Sequence, residues 1–218
     1  MYKLLYCSIL LFFTACNEPA GKRLAKPLKT DKYAHLLKKY EDATFDTLKV
    51  YSGDDLGSES YPFRGRLLDR DDIRLFPSEF VQQLEYDSGF FACYKFHLDS
   101  SRYGLITRTP SEYEPSSIKL FVLDKKKGVI TYYYELAESI GDAGDVSNRT
   151  SWLFRQPNGF GCFTWDEELH YNSVENENDT SIQRWDYFRL ASFNKRSVDT
   201  FHLDEGKAKR QFGHFLTR

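Results

Sequence analysis

The stretch KLFVLDKKKGVITYYYEL, residues 119–136, places two apolar segments on either side of a lysine-rich turn that ends in glycine. Short β-branched and aromatic segments joined by turn residues are typical of a β-hairpin. WLFRQPNGFGCFTWDEEL (152–169) and FRLASFNKRSVDTFHLDE (188–205) have the same pattern. An internal repeat would produce this similarity. A meander of hairpins explains it equally well, because the shared signal is only apolar alternation around a turn.

The hairpin pattern extends over most of the chain from residue 89 onward. Aromatic residues make up 17% of the sequence, and they favour pleated, half-buried surfaces. The predicted strands are FFACYKFHLD (90–99), YGLITRT (103–109), IKLFVLD (118–124), GVITYYYEL (128–136), TSWLFRQ (150–156), FGCFTWDEEL (160–169), WDYFRLASF (185–193) and VDTFHLD (198–204). The sequence therefore predicts a mainly β fold with minor α content: an antiparallel meander, sandwich or barrel-like domain.

A short amphipathic helix is predicted ahead of the strands, over residues 30–42. Tyr33, Leu36, Leu37 and Tyr40 follow one another at helical spacing and form an apolar stripe. A second short helix is predicted over residues 77–85, where a proline stands near the first turn. We expect residues 30–218 to form a single domain, with helices confined mainly to these two segments.

The amino-terminal segment LLYCSILLFFTACNEPAG, residues 4–21, is a short apolar run behind Lys3 that stops at Cys16. The run is about half as long as the roughly 20 residues that span a bilayer, which is typical of a secretory signal peptide. It ends Phe13-Thr14-Ala15-Cys16, which resembles the lipobox of bacterial lipoproteins. An ordinary secretory signal with a chance cysteine is the alternative.

The resemblance to bacterial lipoproteins implies where the protein is found. It implies lipidation of Cys16, removal of residues 1–15 as a signal peptide, and a lipidated tether over residues 16–29. Several acyl chains on one cysteine give stable membrane attachment, whereas one chain is marginal. We therefore expect a domain outside the cytoplasm, anchored by lipid in the bacterial cell envelope, at the outer membrane rather than the inner.

The charge balance argues against a nucleic-acid partner. The chain has 30 basic and 32 acidic residues, and no basic stripe stands out. The lipid on Cys16 is the predicted contact with the membrane, and a glycan or another envelope protein is the expected further partner. No cofactor is predicted, because phosphate-binding loops are not found.

Two cysteines, Cys93 and Cys162, remain once Cys7 is removed with the signal and Cys16 carries lipid. A disulfide between them would suit an oxidising compartment. Two buried free thiols that pack as small hydrophobic groups are the alternative.

No catalytic residue is predicted. The sequence contains no nucleophile elbow and no pair of histidines at metal-binding spacing. Asp142 and Asp145, in the glycine-containing segment GDAGD, are candidate ligands for Ca²⁺. The same residue types are common in turns, so a simple turn is the alternative.

Four residues are candidate ligand contacts. Trp165, Asp166 and Glu168 combine an aromatic ring with carboxylates, as sugar-binding sites do, and Tyr113 lies in a proline-bounded loop between two strands. Neighbouring carboxylates of this stretch, such as Asp166 and Glu167, point to opposite faces of a strand, so their adjacency in sequence does not make a glycosidase pair. We expect a non-catalytic binding or accessory protein. The rivals are a glycan-directed hydrolase with carboxylates brought together by the fold, and a structural partner of another envelope protein.

Overall fold

A single mixed β-sheet dominates the computed structural model, which describes residues 32–217 except 54, 82–88, 112–115, 158 and 194–197. The strands are β1 Glu41–Asp42, β2 Thr47–Tyr51, β3 Arg66–Leu67, β4 Phe91–His97, β5 Arg102–Thr109, β6 Ser117–Asp124, β7 Val129–Asp142, β8 Asp145–Gln156, β9 Gly159–Tyr171, β10 Ile182–Phe193 and β11 Val198–Leu203. The helices are α1 Ala34–Lys39, α2 Arg70–Ile73, α3 Ser78–Val81 and α4 Glu205–Leu216, with a 3₁₀ turn at Asn172–Val174.

The order of the strands confirms the predicted mainly β, antiparallel meander. Strands β4 to β11 are neighbours in chain order, and each pair is antiparallel. β1 joins the edge parallel to β4, while β2 pairs with β8 and β3 with β4. The sheet is open, with β1 and β11 at its two ends among the described residues, so it is not a closed barrel.

The sheet folds back on itself at β7, so that its two halves pack face to face. Two register irregularities interrupt the pairing of β6 with β7. Bulges of this kind bend a strand and increase its twist. β7 pairs with β6 through residues 129–137 and with β8 through residues 138–142, so it belongs to both halves. The strands therefore form a sandwich from one continuous sheet.

The core between the two halves is apolar and rich in aromatic residues. Phe96 of the first half contacts Phe160 of the second, with ring centroids 5.0 Å apart. The buried members of this inner core include Ile106, Ile118, Leu120, Leu136, Leu153, Cys162 and Ala191. Burial of a large apolar side chain contributes about 1.5–3 kcal/mol, so this core is a major source of stability.

Helices α1, α2 and α3 cover the other face of the first half. Leu36 of α1 and Phe76, next to α2, are buried with Phe90, which precedes β4, and with Phe121 of β6. The Phe76 and Phe121 rings meet edge to face at 5.0 Å. The predicted apolar stripe of α1 is confirmed, because Tyr33, Leu36 and Tyr40 are all buried.

Both predicted helices differ in extent from the expectation. α1 covers only residues 34–39, because Glu41 and Asp42 pair with β4 as the strand β1. α3 covers residues 78–81, and residues 82–85 of the prediction lie outside the described part of the chain. The short helix α2 was not predicted. Its amino end is capped by Asp69, whose carboxylate accepts hydrogen bonds from the backbone N–H groups of Asp71 and Asp72.

The expectation that helix is confined to these two segments is wrong, because α4 covers the other face of the second half. Asp204 caps α4 by accepting a hydrogen bond from the backbone N–H of Lys207 at 2.8 Å. Phe212 and Phe215 of α4 pack on Phe163 and Trp152 of the sheet. The domain thus has four layers: helices, two sheet halves, and a further helix.

The described residues form one compact unit that begins at Lys32. In this part of the chain no helix is long and apolar enough to cross a membrane. The predicted signal peptide, tether and Cys16 lie outside the described residues.

Candidate functional site

Part of the second sheet half extends beyond its hydrophobic core, and we name this part the outer sheet. It comprises residues 138–149, 166–171 and 182–187, from β7, β8, β9 and β10. Residues 182–187 are all exposed, whereas Ala191 and Phe193 of the same strand are buried. Side chains of the outer sheet are therefore accessible to a ligand.

The turn of GDAGD closes one edge of the outer sheet. Asp142 and Asp145 are directly paired, and the two residues between them, Ala143 and Gly144, have φ of 45° and 95°. A two-residue turn with both φ values positive matches the twist of a hairpin. Asp145 contacts Nδ1 of His170 on the neighbouring strand at 2.7 Å. The segment is thus a hairpin turn, and Ca²⁺ binding by Asp142 and Asp145 stays a prediction.

One face of the outer sheet continues the face that carries the inner core, and we name it the inner face. Polarity along it rises with distance from the core. Next to Cys162 and Ala191 lies a hydroxyl layer, in which Thr164 contacts Ser151 at 2.9 Å and Tyr134 at 3.3 Å. These buried hydroxyls satisfy one another, as buried polar groups must. Charged side chains follow in the next layer.

The charged layer of the inner face is formed by Asp166 between two arginines. Arg149 Nε donates to Asp166 Oδ1 at 2.6 Å, and Arg189 Nη2 donates to Oδ2 at 2.7 Å. Only 14% of the Asp166 side chain is exposed. Burial opposes the charge of Arg149, but the Asp166 carboxylate outweighs it and raises the pKa of Arg149. Both oxygens of Asp166 are thus held in ion pairs.

Two aromatic rings stand beside this charged layer on β10. Trp185 lies opposite Glu168 and Tyr187 lies opposite Asp166, so alternation puts all four on the inner face. The Trp185 and Tyr187 side chains are 44% and 48% exposed. We name Trp185, Tyr187 and Glu168 the aromatic platform. An exposed pair of rings with a carboxylate beside it is the principal candidate binding surface of the described chain.

The described candidate contacts that were predicted from sequence lie on two different faces of β9. Asp166 and Glu168 share the inner face, whereas Trp165 lies on the opposite face and packs toward α4. Its indole Nε1 donates to Asp186 at 2.7 Å. Tyr113 lies outside the described residues. The rings that accompany the two carboxylates are instead Trp185 and Tyr187, which the sequence analysis included in a strand but did not single out.

Cys93 and Cys162 are buried free thiols in the structure, and a disulfide between them stays a prediction. Both belong to the inner core. Burial raises the pKa of Cys93 to about 12 and that of Cys162 to about 11. A thiol with so high a pKa has little thiolate at neutral pH and is a poor nucleophile.

Among the described residues, one group of three side chains has metal-ligand geometry: His35, Asp69 and Asp72. Lys39 Nζ already lies 2.7 Å from Asp69 and 2.6 Å from Asp72. The ammonium group supplies the positive charge that a metal ion would bring. This group therefore acts as an ion pair that joins α1 to α2.

A cleft of about 450 Å³ opens on the first sheet half, lined by Leu56, Gly57, Arg64, Gly65, Leu67, Phe91 and Arg108. The Arg108 guanidinium lies 3.9 Å from the centre of the Phe91 ring. It donates to the backbone carbonyls of Phe63 and Arg64 at 3.1 and 2.8 Å. Arg108 is thus committed to fastening the 63–64 segment to the sheet.

Comparison of the chain with protein-family models, with curated proteins and with solved structures gives no match. Its function is therefore argued from the amino-terminal motif and from the outer sheet.

Proposed function

We propose that the protein is a lipid-anchored envelope protein that binds polysaccharide without cleaving it, through the aromatic platform of the outer sheet. The observation that carries the proposal is the exposure of Trp185 and Tyr187 beside Glu168. The lipobox-like end of the leader supports attachment through Cys16 with the domain outside the cytoplasm, and the outer membrane is the membrane that we propose.

The geometry of the platform suits a sugar chain. Trp185 and Tyr187 are two residues apart on one strand, so their Cα atoms lie roughly 7 Å apart on the same face. A flat ring offers an apolar surface for the C–H faces of a sugar, and the indole N–H and phenol O–H offer polar contacts. Glu168 can accept hydrogen bonds from sugar hydroxyls. An exposed surface suits a long polymer more than a single enclosed sugar.

The charged layer supports binding over hydrolysis. A glycosidase requires a carboxylic acid that donates a proton to the leaving group and a second carboxylate facing it. Both oxygens of Asp166 accept hydrogen bonds from arginines, so neither is placed to pass a proton to a substrate. Asp166 is therefore unsuited to act with Glu168 as the second carboxylate of a catalytic pair. The arginines add polar groups that can contact a polymer.

Co-sedimentation with insoluble polysaccharides tests the proposed function. Full-length protein in mild detergent is mixed with peptidoglycan sacculi, chitin or cellulose, and the bound fraction is measured. We expect binding to at least one polymer, and at least a tenfold weaker apparent affinity for Trp185→Ala/Tyr187→Ala. Phe201→Ala is the matched control, because Phe201 is a 58% exposed aromatic residue on β11 that lies outside the platform. Equal binding by all three proteins, or no binding to any polymer, contradicts the proposal.

A further inference from the structure

The turn between β6 and β7 carries three consecutive lysines, Lys125, Lys126 and Lys127, all of them exposed. The carboxylate of Asp124 accepts hydrogen bonds from the backbone N–H groups of Lys126 and Lys127, at 2.9 and 3.0 Å. Gly128 follows with a φ of 64°, a conformation that glycine adopts without strain. The backbone of the turn is therefore fixed by Asp124 and Gly128, and the lysine side chains are left at the surface.

The compact domain begins beside this turn. Lys32 is its first residue, and the hydroxyl of the next residue, Tyr33, donates to the backbone carbonyl of Gly128 at 2.7 Å. Lys32 is exposed, with its ammonium group 4.7 Å from the centre of the Tyr33 ring. The fold thus adds a fourth lysine, distant in sequence, to the three of the turn. We name these four lysines the cationic end: Lys32, Lys125, Lys126 and Lys127.

Among the described residues, carboxylates offset the charge of the cationic end only in part. Asp124 Oδ2 lies 3.8 Å from Lys127 Nζ, and the lysine side chain is 77% exposed. Ser101, in the turn between β4 and β5, accepts a hydrogen bond from the backbone N–H of Lys125 at 3.0 Å. Asp99 of that neighbouring turn is already paired with an arginine at 2.8 Å. Since the whole chain has 30 basic and 32 acidic residues, this end is a local concentration of positive charge.

The cationic end and the outer sheet lie at opposite ends of β7. The strand begins at Val129, directly after the lysine turn, and ends at Asp142, at the GDAGD turn. Its 14 residues span at most roughly 45 Å, at about 3.3 Å per residue. Glu168 of the aromatic platform pairs with Ser147, which pairs with Ile140 near the far end of β7. A surface that contacts the cationic end therefore leaves the platform accessible.

We infer that the cationic end binds the anionic headgroups of a phospholipid bilayer, so that the outer sheet is directed away from the membrane. Basic residues beside a membrane anchor are attracted to anionic lipids, and each one near the surface adds affinity. The attraction decays within a Debye length of about 8 Å at physiological salt, so the lysines act at the headgroup layer itself. Lys32 follows the predicted lipid site, Cys16, by 16 residues, which reach at most roughly 55 Å. The anchor therefore restrains this end of the domain more directly than any other.

The arrangement of the cationic end suits an extended anionic surface. Its lysines stand on a turn and at the start of the domain, not around a cavity, so they do not enclose a small anion. Val129, next to the turn, is 42% exposed and offers an apolar side chain to the interfacial layer. The orientation of the domain rests on the lipid anchor of the proposed function, whereas the attraction of the lysines to anionic lipid does not.

Vesicle co-sedimentation tests the contact. The mature chain, residues 16–218, is used with Cys16→Ala, so that no acyl chain contributes. We expect at least fivefold more binding to vesicles that contain phosphatidylglycerol than to vesicles of phosphatidylcholine alone. The binding should be lost at about 0.5 M salt, because exposed charges are then screened within a few ångströms. No preference for the anionic vesicles, or binding that resists salt, overturns the inference.

Two double variants locate the contact on the protein. Lys126→Gln/Lys127→Gln should lower binding to anionic vesicles at least fivefold, and the turn should persist because Asp124 contacts only backbone N–H groups of these residues. Lys209→Gln/Arg210→Gln is the matched control, because it removes two exposed charges from α4, and its binding should stay within twofold. Equal losses in the two variants overturn the inference. So does binding of the cationic end to soluble polygalacturonate without binding to vesicles, which would assign the lysines to an acidic polymer.

Fluorescence quenching tests the orientation in the lipidated protein. A fluorophore on Val129→Cys should be quenched by a headgroup-labelled lipid at least threefold more than one on Asp142→Cys. Cys93 and Cys162 are buried and should take up little label, which the unsubstituted protein checks. Equal quenching at the two positions contradicts the orientation. Polysaccharide co-sedimentation is measured separately, so a failed membrane contact and a failed platform give different results.

Discussion

The decisive residue-scale feature is the position of Asp166 between Arg149 and Arg189. Ion pairs at exposed sites contribute little, typically 0–1 kcal/mol. Here the carboxylate is only 14% exposed and each arginine about a quarter exposed. Removal of one member of such a group leaves charge without its counterpart in a partly desolvated site. Asp166 therefore stabilises the outer sheet. Its carboxylate also offsets part of the positive charge of the two arginines beside the aromatic platform.

We predict that Asp166→Asn lowers the free energy of unfolding by about 2–4 kcal/mol, because two arginines lose their counter-charge. For a domain of this size the melting temperature should fall by roughly 5–10 °C. Thermal unfolding followed by circular dichroism measures the change. Glu168→Gln is the matched control, since Glu168 is an exposed carboxylate on the same face of the same strand, and its shift should stay within 2 °C or so. Equal shifts for the two variants would contradict this account of Asp166.

At the scale of elements, the sequence was sufficient for β4–β11 and insufficient for β1–β3 and for α4. The eight strands predicted from residue 89 onward correspond to β4–β11, because period-two alternation and turn residues are local signals. The turn at DKKKG is an example: Asp124 accepts from the N–H groups of Lys126 and Lys127, and Gly128 has a φ of 64°. A turn at Asp142–Asp145 was one of the two alternatives, but the strands that it joins were predicted too short, ending at residue 136 and beginning at residue 150.

The helix α4 had a signal that the sequence analysis did not use. Asp204 is a good N-cap, and Ala208, Phe212 and Phe215 follow at helical spacing. The segment is otherwise charged, so its apolar stripe is narrow. The aromatic platform was missed for a different reason. Register decides which ring of β10 lies opposite which carboxylate of β9, and pairing register is a long-range property that residue patterns within one strand do not contain.

We predict that Phe212→Ala lowers the free energy of unfolding by about 2 kcal/mol, less than for a fully buried phenylalanine because the ring is only partly covered. The Phe212 ring stacks on Phe163 at 4.4 Å, which is the closest contact of α4 rings with the sheet. Chemical denaturation measures the loss, and Gln211→Ala on the exposed side of α4 is the control. If both variants are as stable as the unsubstituted protein, α4 does not contribute to the domain as its packing indicates.

At the scale of the whole molecule, one sheet supplies both a stable sandwich and an exposed binding end. β7 passes from one half to the other, and helices cover the two outward faces near the core. The outer sheet is left uncovered on β10, where Trp185 and Tyr187 are exposed. The alternation of apolar and polar residues in the sequence indicates which side chains of each strand face the core. It does not specify where the sheet turns over, because that depends on the two irregularities between β6 and β7.

The last prediction concerns how the whole chain is held in the envelope. If Cys16 carries the lipid, Cys16→Ala should move the mature-sized protein from the membrane pellet to the soluble fraction, because acyl chains supply roughly 0.8 kcal/mol of membrane affinity per buried CH₂. No described helix can replace them by spanning a bilayer. Cell fractionation with a high-salt wash and an immunoblot measures the distribution. Cys7→Ala is the matched control, because Cys7 lies within the predicted signal peptide and its loss should leave the mature protein in the pellet. Mature-sized Cys16→Ala protein that still sediments and resists salt would show that another part of the chain binds the membrane.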